Sequence, residues 1–140
     1  MMVKRAAGAR LWKCLSVRQP YAWAIMKGAK DIENRNRMSN HIGRLYIHAG
    51  KKERTDDVED CVARVAKHFG VSVSEMLDDY RRHDSRGRGA IIGSVHMFGC
   101  ARQHESAWFT GRYGYLLRDP KPLSKPIPFK GLPGFFYFTP

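Results

Sequence analysis

Apolar and polar side chains alternate most regularly in the segment that follows Gly43. The apolar positions there are Leu45, Ile47 and Ala49, and the positions between them are Arg44, Tyr46 and His48. A period of two predicts a β-strand with one buried face. We therefore expect Arg44, Tyr46 and His48 to share the opposite, half-exposed face of that strand.

Four other segments carry strand patterns. Residues 30–35 are polar but fit a strand at the rim of a sheet, whereas residues 90–98, 112–118 and 135–138 are rich in β-branched or aromatic side chains. Residues 119–128 form a proline-rich connection whose fixed φ angles make it extended and stiff. We expect this connection to cross the end of a barrel rather than to add a central strand.

Three helices are predicted from their ends and their apolar spacing. The first covers residues 20–27, begins at a proline and stops before a glycine. The second is capped by Thr55, opens with acidic residues and presents a regular apolar stripe. The third starts with the capping-box pair Ser72 and Glu75 and runs to residue 82.

The remaining segments have no apolar periodicity. Residues 83–89 contain no large apolar side chain and predict a flexible basic loop. Residues 1–13 are interpreted as a basic N-terminal arm, and residues 14–140 as a single domain of a size that can bury a core. Short strands with helices among them predict an α+β protein, a small mixed β-barrel of five to six strands with flanking α-helices.

Composition narrows the class of protein. The chain has 140 residues, 43% of them hydrophobic, and no apolar run long enough for a membrane span or a secretory signal. We expect a soluble, cytoplasmic protein without a membrane partner. Its three cysteines, Cys14, Cys61 and Cys100, include no closely spaced pair, which favours free thiols over disulfides or a zinc site.

The charge is strongly positive and unevenly distributed. The formal net charge is +12, with +10 in residues 1–52, −4 in residues 53–84 and +6 in residues 85–140. This distribution predicts a basic face built from the two flanking segments, as expected for a protein that binds a polyanion. The alternative is a solvated basic surface without a specific ligand.

Several motifs occur in one order along the chain. Residues 15–22 read LSVRQPYA and residues 28–35 read GAKDIENR; RLYIHAGK at 44–51 and GAIIGSV at 89–95 follow, and the sequence closes with YGY at 113–115 and KGLPGFF at 130–136. Together these segments resemble the ASCH-domain family, a branch of the PUA-like barrels. The resemblance spans roughly residues 14–138.

The resemblance implies a β-barrel with a cleft on one side that is used on RNA or on modified nucleosides. It implies three activities within the family: RNA binding, ribonuclease activity on single strands, and amidohydrolase activity on an acylated cytidine nucleoside. The amidohydrolase branch has a Gly-x-Lys-x-x-Thr arrangement and a later Glu. Lys30 matches that lysine, but Glu33 stands in place of the threonine, which argues against an unchanged transfer of that activity.

RNA cleavage requires a base for the 2′-hydroxyl and cations for the anionic transition state, and it needs no cofactor in principle. Tyr46 and His48 are predicted to share a strand face, with Lys51 and Lys52 at the strand end. These four residues are the first candidate catalytic group. The alternative is that Tyr46 and His48 are structural residues of a half-exposed strand. A requirement for a divalent metal stays open.

Lys30 and Glu33 form the second candidate catalytic group, as a lysine beside a carboxylate whose pKa could be tuned. An ion pair of Glu33 with Arg35 or with Lys30 is the structural alternative. Polar side chains of the basic segments are the candidate RNA contacts. They are Arg18, Arg35, Arg37, Arg44, Arg86, Arg88, Lys121, Ser124, Lys125 and Lys130.

We therefore predict an RNA-binding protein, and within that class a ribonuclease acting on single-stranded RNA. Two alternatives are a hydrolase of a small modified nucleoside and a non-catalytic, regulatory RNA-binding module. An extended basic surface favours the nuclease or the binding module, whereas a nucleoside hydrolase requires only a small enclosed pocket.

Overall fold

The computed structural model describes residues 10–140. In that part of the chain it contains six strands, three α-helices and a 3₁₀ turn. In chain order they are β1 (Trp12–Gln19), α1 (Tyr21–Met26), β2 (Ile32–Arg35), β3 (Gly43–Glu53), the 3₁₀ turn (Thr55–Asp57), α2 (Val58–Phe69), α3 (Val73–Gly87), β4 (Ala90–Ala101), β5 (Tyr113–Pro128) and β6 (Phe135–Phe138).

All six strands belong to one mixed sheet in the order β2-β5-β4-β3-β1-β6. β1 runs parallel to β3, and the other neighbours are antiparallel. The α+β class is therefore confirmed. The sheet does not close into a barrel within residues 10–140, however, because β6 is four residues long and pairs only with residues 12–15 of β1. The second half of β1 is left with a free edge.

The core lies on both sides of this sheet. One cluster packs α1 against the apolar face of β1 and β3, with Val17, Ile25 and Ile47 each nearly inaccessible to solvent. A second cluster joins α1 to the apolar stripes of α2 and α3, where Trp23 contacts Tyr80. A third covers the opposite face of the sheet. Its buried members are Cys14, Tyr46, Ile91 and Phe136.

Two strands depart from the sequence prediction. Residues 12–19 form β1, a strand that the sequence did not predict. Trp12 and Lys13 therefore belong to the sheet and not to the expected N-terminal arm. Residues 1–9 of that arm lie outside the described residues. β5 continues through the proline-rich connection, so the expectation of a crossing segment is wrong. β2 pairs only with the start of β5, and beyond Leu116 that side of β5 is an edge, where a missing N–H costs no ladder bond.

The helices follow the predicted positions more closely. α1 lies within the predicted range, and the Ser72 hydroxyl accepts a hydrogen bond from the Glu75 N–H, as a capping box requires. α3 continues through Gly87, so the predicted flexible loop at 83–89 is wrong. Gly87 is buried, and a side chain there would meet Ile92.

The cysteines are free, as predicted. Cys14 and Cys61 are buried and Cys100 is half-buried. Burial raises the pKa of the Cys14 thiol to about 11 and that of Cys61 to about 12, which keeps both protonated and unreactive at neutral pH. None of the helices in residues 10–140 has the length and apolar content needed to cross a membrane.

Replacing the cap of α3 is expected to destabilise the fold. Ser72→Ala removes the hydroxyl that accepts the 3.1 Å hydrogen bond from Glu75 N–H, and the loss of such a cap costs about 1 kcal/mol. Urea unfolding measures this change, with Ser74→Ala, an exposed serine inside the same helix, as the matched control. Equal stabilities of the two variants would contradict the role of the cap.

Candidate nucleic-acid interface

A cleft of about 760 Å³ opens where the free half of β1 approaches β2. The two strands supply its floor, and α2 and the β4–β5 loop supply its walls. Its polar and aromatic lining residues are Ser16, Arg18, Tyr21, Lys30, Glu33, Asn34, Arg35, Asn36, Arg54, Asp57, Asp60, Arg64, Trp108, Thr110 and Arg112. We call this space the seam cleft.

A side chain, rather than a backbone ladder, joins the two strands at the seam. Arg35 Nη2 on β2 donates a 2.6 Å hydrogen bond to the backbone oxygen of Ser16 on β1. Its Nε donates a 3.0 Å hydrogen bond to Glu33 Oε2. The guanidinium thus satisfies a carbonyl on the free edge of β1 and orients the Glu33 carboxylate. Arg35 therefore lies between the two strands at the seam.

Lys30 lies at the floor of the seam cleft. It is 4% exposed, its Nζ donates to the backbone oxygen of Ile32, and that Nζ lies 3.8 Å from Glu33 Oε1. Burial lowers the pKa of Lys30, and the neighbouring Glu33 charge opposes this shift. Both ion pairs that the sequence left open, Glu33 with Arg35 and Glu33 with Lys30, are present.

Trp108 covers Lys30 from the β4–β5 loop. The Lys30 Nζ lies 5.4 Å from the indole centroid, and the Arg64 guanidinium stacks on the same ring system at 4.9 Å. Asn34 fixes the loop, because its Nδ2 donates to Trp108 O and its Oδ1 accepts from the Thr110 N–H, both at 2.8 Å. Arg64 covers part of this wall, and its own side chain is 43% exposed.

The cleft carries an excess of positive charge. Six cationic and three acidic side chains line it, and the acidic ones are each paired with an arginine: Glu33 with Arg35, Asp57 with Arg54 and Asp60 with Arg64. Arg18 and Arg112 have no ion-pair partner within residues 10–140. These two arginines are available to an anionic ligand.

The basic surface is not built from the flanking segments alone, as the charge distribution had predicted. Arg54 and Arg64 come from the acidic segment 53–84. They were missed because the net charge of that segment hides individual cations.

Tyr21 and Trp108 were also missed, since no local pattern shows that they face the same cleft. Tyr21 directly follows Gln19-Pro20 in the motif at residues 15–22. That position in the motif was the one sequence signal that could have identified it as a site residue.

The first candidate catalytic group does not form an open site. Tyr46 is 8% exposed and stacks on Trp12, with ring centroids 3.9 Å apart. His48 is 2% exposed, and its ring contacts Phe136 edge-on. The expected half-exposed face is therefore wrong, because β1 and the C-terminal segment cover it. Of the group, Lys51 and Lys52 are exposed on the last part of β3.

Both ring nitrogens of His48 are used inside the protein. Nε2 lies 2.6 Å from the backbone oxygen of Phe129, which can only accept, so Nε2 carries the proton; Nδ1, at 3.0 Å, accepts from the Ser16 hydroxyl. Burial lowers the pKa of His48. The ring is thus a neutral structural bridge between β1, β3 and residue 129.

The predicted RNA contacts do not converge on one surface. Arg18 and Arg35 line the seam cleft. Arg88 instead pairs with Asp84 and Glu53. Arg86 and Ser124 line a separate, more apolar pocket of about 380 Å³ beside α1. The other five are exposed elsewhere on the surface: Arg37, Arg44, Lys121, Lys125 and Lys130.

No three His, Cys, Asp or Glu side chains of residues 10–140 lie close enough together to hold a metal ion.

The stability of the fold is expected to depend on the protonation of His48. Its folded-state pKa is lowered, so below about pH 6.5 the unfolded chain binds a proton that the folded protein does not. The free energy of unfolding should therefore fall as the pH drops from about 7.5 to about 5.5, and His48→Gln should weaken this dependence. Urea unfolding at each pH measures this free energy. The control is His68→Gln, which removes an exposed histidine. Identical pH profiles of the wild type and His48→Gln would contradict the role of His48.

Among the solved structures similar to this chain are two from Zymomonas mobilis. A crystal structure of ASCH from this organism has 17% sequence identity and a TM-score of 0.45, covering 83% of this chain and 72% of that one. A mutant of the same protein has 18% identity and a TM-score of 0.44, covering 83% of this chain and 74% of that one.

Two longer proteins are similar in sequence. Activating signal cointegrator 1 of Mus musculus is 28% identical over 129 residues, and that of Homo sapiens is 29% identical over 129 residues. Each alignment covers 86% of this chain and 21% of the relative, so the chain spans about a fifth of the relatives' length. The family model of the ASCH domain matches residues 15–118, which is most of the chain. This protein therefore belongs to the ASCH domain family.

Proposed function

We propose that the seam cleft binds single-stranded RNA. The ASCH domain family is generally RNA-binding. The observation that carries the proposal is the composition of the cleft: arginines at its rim, two of them without an acidic partner in residues 10–140, above a polar floor made of Lys30 and Glu33. Arginines at a rim suit phosphates, and a polar floor suits the edge of a nucleobase.

The shape of the cleft favours a single strand over a duplex. A volume of about 760 Å³ admits a nucleotide-sized ligand but not a helix, so a base must be unstacked to reach Lys30. Both Lys30 and Arg64 contact the indole of Trp108, so the base would stack on the Arg64 guanidinium rather than on the bare ring. Guanidinium planes serve as stacking partners for RNA bases.

Binding of RNA is better supported than cleavage of RNA. The first candidate catalytic group, on β3, is not placed to cleave it. Cleavage requires a base within hydrogen-bond reach of the 2′-hydroxyl, and the His48 ring is buried with both nitrogens engaged. In this proposal Lys51 and Lys52 act as surface cations. Ribonuclease activity would require a base elsewhere, and the carboxylates that line the cleft are those of Glu33, Asp57 and Asp60.

A second candidate function is hydrolysis of an acylated cytidine nucleoside in the same cleft. The observation that favours it is the Lys30–Glu33 pair, a buried amine with a lowered pKa beside a carboxylate. Such a lysine takes up and releases protons more readily near neutral pH than an exposed one. Glu33 replaces the threonine of the amidohydrolase motif, so a water molecule, rather than a side-chain hydroxyl, would have to attack the carbonyl.

Affinity for single-stranded RNA is expected to fall steeply with salt. In Arg18→Gln/Arg112→Gln the slope of log affinity against log salt should be smaller by about 1.4, because each lost phosphate contact removes about 0.7. Fluorescence anisotropy with a labelled 12-nucleotide RNA measures both quantities. The same RNA, analysed on a denaturing gel, reports any cleavage.

The matched control is Lys67→Gln/Arg81→Gln, which removes two exposed charges from α2 and α3. Its binding should stay close to that of the wild type. If the cleft variant and the control bind alike, the RNA site is not in the seam cleft.

Lys30→Met tests the second candidate function. The substitution keeps the length and apolar stem of the side chain but removes the amine, so release of acetate from N4-acetylcytidine should stop while Glu33 retains Arg35 as a partner. Chromatography of the product cytidine measures turnover, and Lys67→Met is the control. Absence of turnover by the wild-type protein would exclude this candidate.

A further inference from the structure

A row of basic side chains crosses the sheet outside the seam cleft. Arg44 on β3 pairs in register with His96 on β4, and His96 pairs with Arg118 on β5. Directly paired residues project from the same face of a sheet, so the three side chains stand side by side. The strands of Arg44 and Arg118 are two inter-strand spacings apart, which is about 10 Å.

A bulge in β5 adds a fourth basic residue to this face. The register moves from His96↔Arg118 to Ser94↔Lys121, so two steps on β4 correspond to three on β5. Asp119, with a φ of 54°, is the left-handed residue within that extra step. A regular strand would turn Lys121 to the face opposite Arg118, and the bulge returns it to the same face.

An exposed aromatic ring adjoins the row. Phe98 on β4 is 41% exposed, and the Arg118 guanidinium lies 4.8 Å from its ring centroid. A partly exposed phenyl ring beside cations is a combination with which single-stranded nucleic acids are bound, since every base has a face that can stack.

The fold itself gives no reason for this arrangement. The residue directly paired with both arginines is His96, which offers neither of them an acidic partner. The acidic neighbour of the row is Asp119, 3.7 Å from Arg118, and both side chains are more than half exposed, so that pair contributes little. Arg44 and Lys121 have no ion-pair partner within residues 10–140. A bound polyanion would supply the counter-charges that these cations lack.

We propose that the β3–β5 face, made of Arg44, Phe98, Arg118 and Lys121, is a second contact surface for the RNA strand held in the seam cleft. The cations bind phosphates, and Phe98 stacks on a base. Arg112 lines the cleft and precedes Arg118 by six residues, so the backbones of the two surfaces approach within about 20 Å, a distance that a 12-nucleotide strand can span. This inference rests on the proposed function.

The experiment compares two variants of this face with the wild type. In Arg44→Gln/Arg118→Gln, affinity for the 12-nucleotide RNA should fall about tenfold at low salt, with a salt slope smaller by about 1.4. Phe98→Ala should lower affinity about fivefold or more with an unchanged slope, because it removes stacking and no charge. All of these side chains are exposed, and thermal unfolding verifies that the variants fold.

The outcomes separate this inference from the proposed function. If Arg18→Gln/Arg112→Gln loses affinity while the β3–β5 variants bind like Lys67→Gln/Arg81→Gln, the second surface is wrong and the cleft stands. If Phe98→Ala binds as tightly as the wild type, no base stacks there and the surface as proposed is wrong. If the wild type binds no RNA, both proposals fail.

Discussion

The hydrogen bond from Arg35 to the Ser16 carbonyl is the contact on which the site depends. β6 covers only half of the outer edge of β1, and β2 lies at the other end of the strand order, so backbone pairing leaves the sheet open. The guanidinium spans that opening and joins the two edges through a side chain. A backbone ladder between β1 and β2 would have occupied the space that is now the seam cleft.

That one guanidinium also organises the charges around it. Arg35 draws one oxygen of Glu33 toward β1, and the other oxygen faces the buried amine of Lys30. Asn34 and Arg64 hold Trp108 over that amine. The negative groups of the cleft are thereby matched by neighbouring cations, and the remaining positive charge lies at the rim, where a solvated phosphate can reach it.

Sequence patterns predicted correctly those features that depend on residues close together in the chain. The cap of α3, the stripe of α2, the existence of strand β3 and the proximity of Lys30 to Glu33 all follow from spacings of a few residues. Prediction failed where a distant segment decides: Trp12 and Phe136 bury the face that carries Tyr46 and His48, and no periodicity in β3 reveals them. Arg54, Arg64 and Trp108 reach the cleft from segments separated from β2 by about 20 to 75 residues, beyond the range of any local pattern.

The pairing of β6 with β1 joins residues 135–138 to residues 12–15. Closing a loop of nearly the whole domain costs chain entropy before such contacts can stabilise the fold. Until residues 135–138 have been synthesised, β1 presents an unpaired edge beside Cys14 and Trp12, which is a template for pairing with another chain. The strand that forms one side of the seam cleft is therefore also an edge at which the nascent protein can pair with another chain.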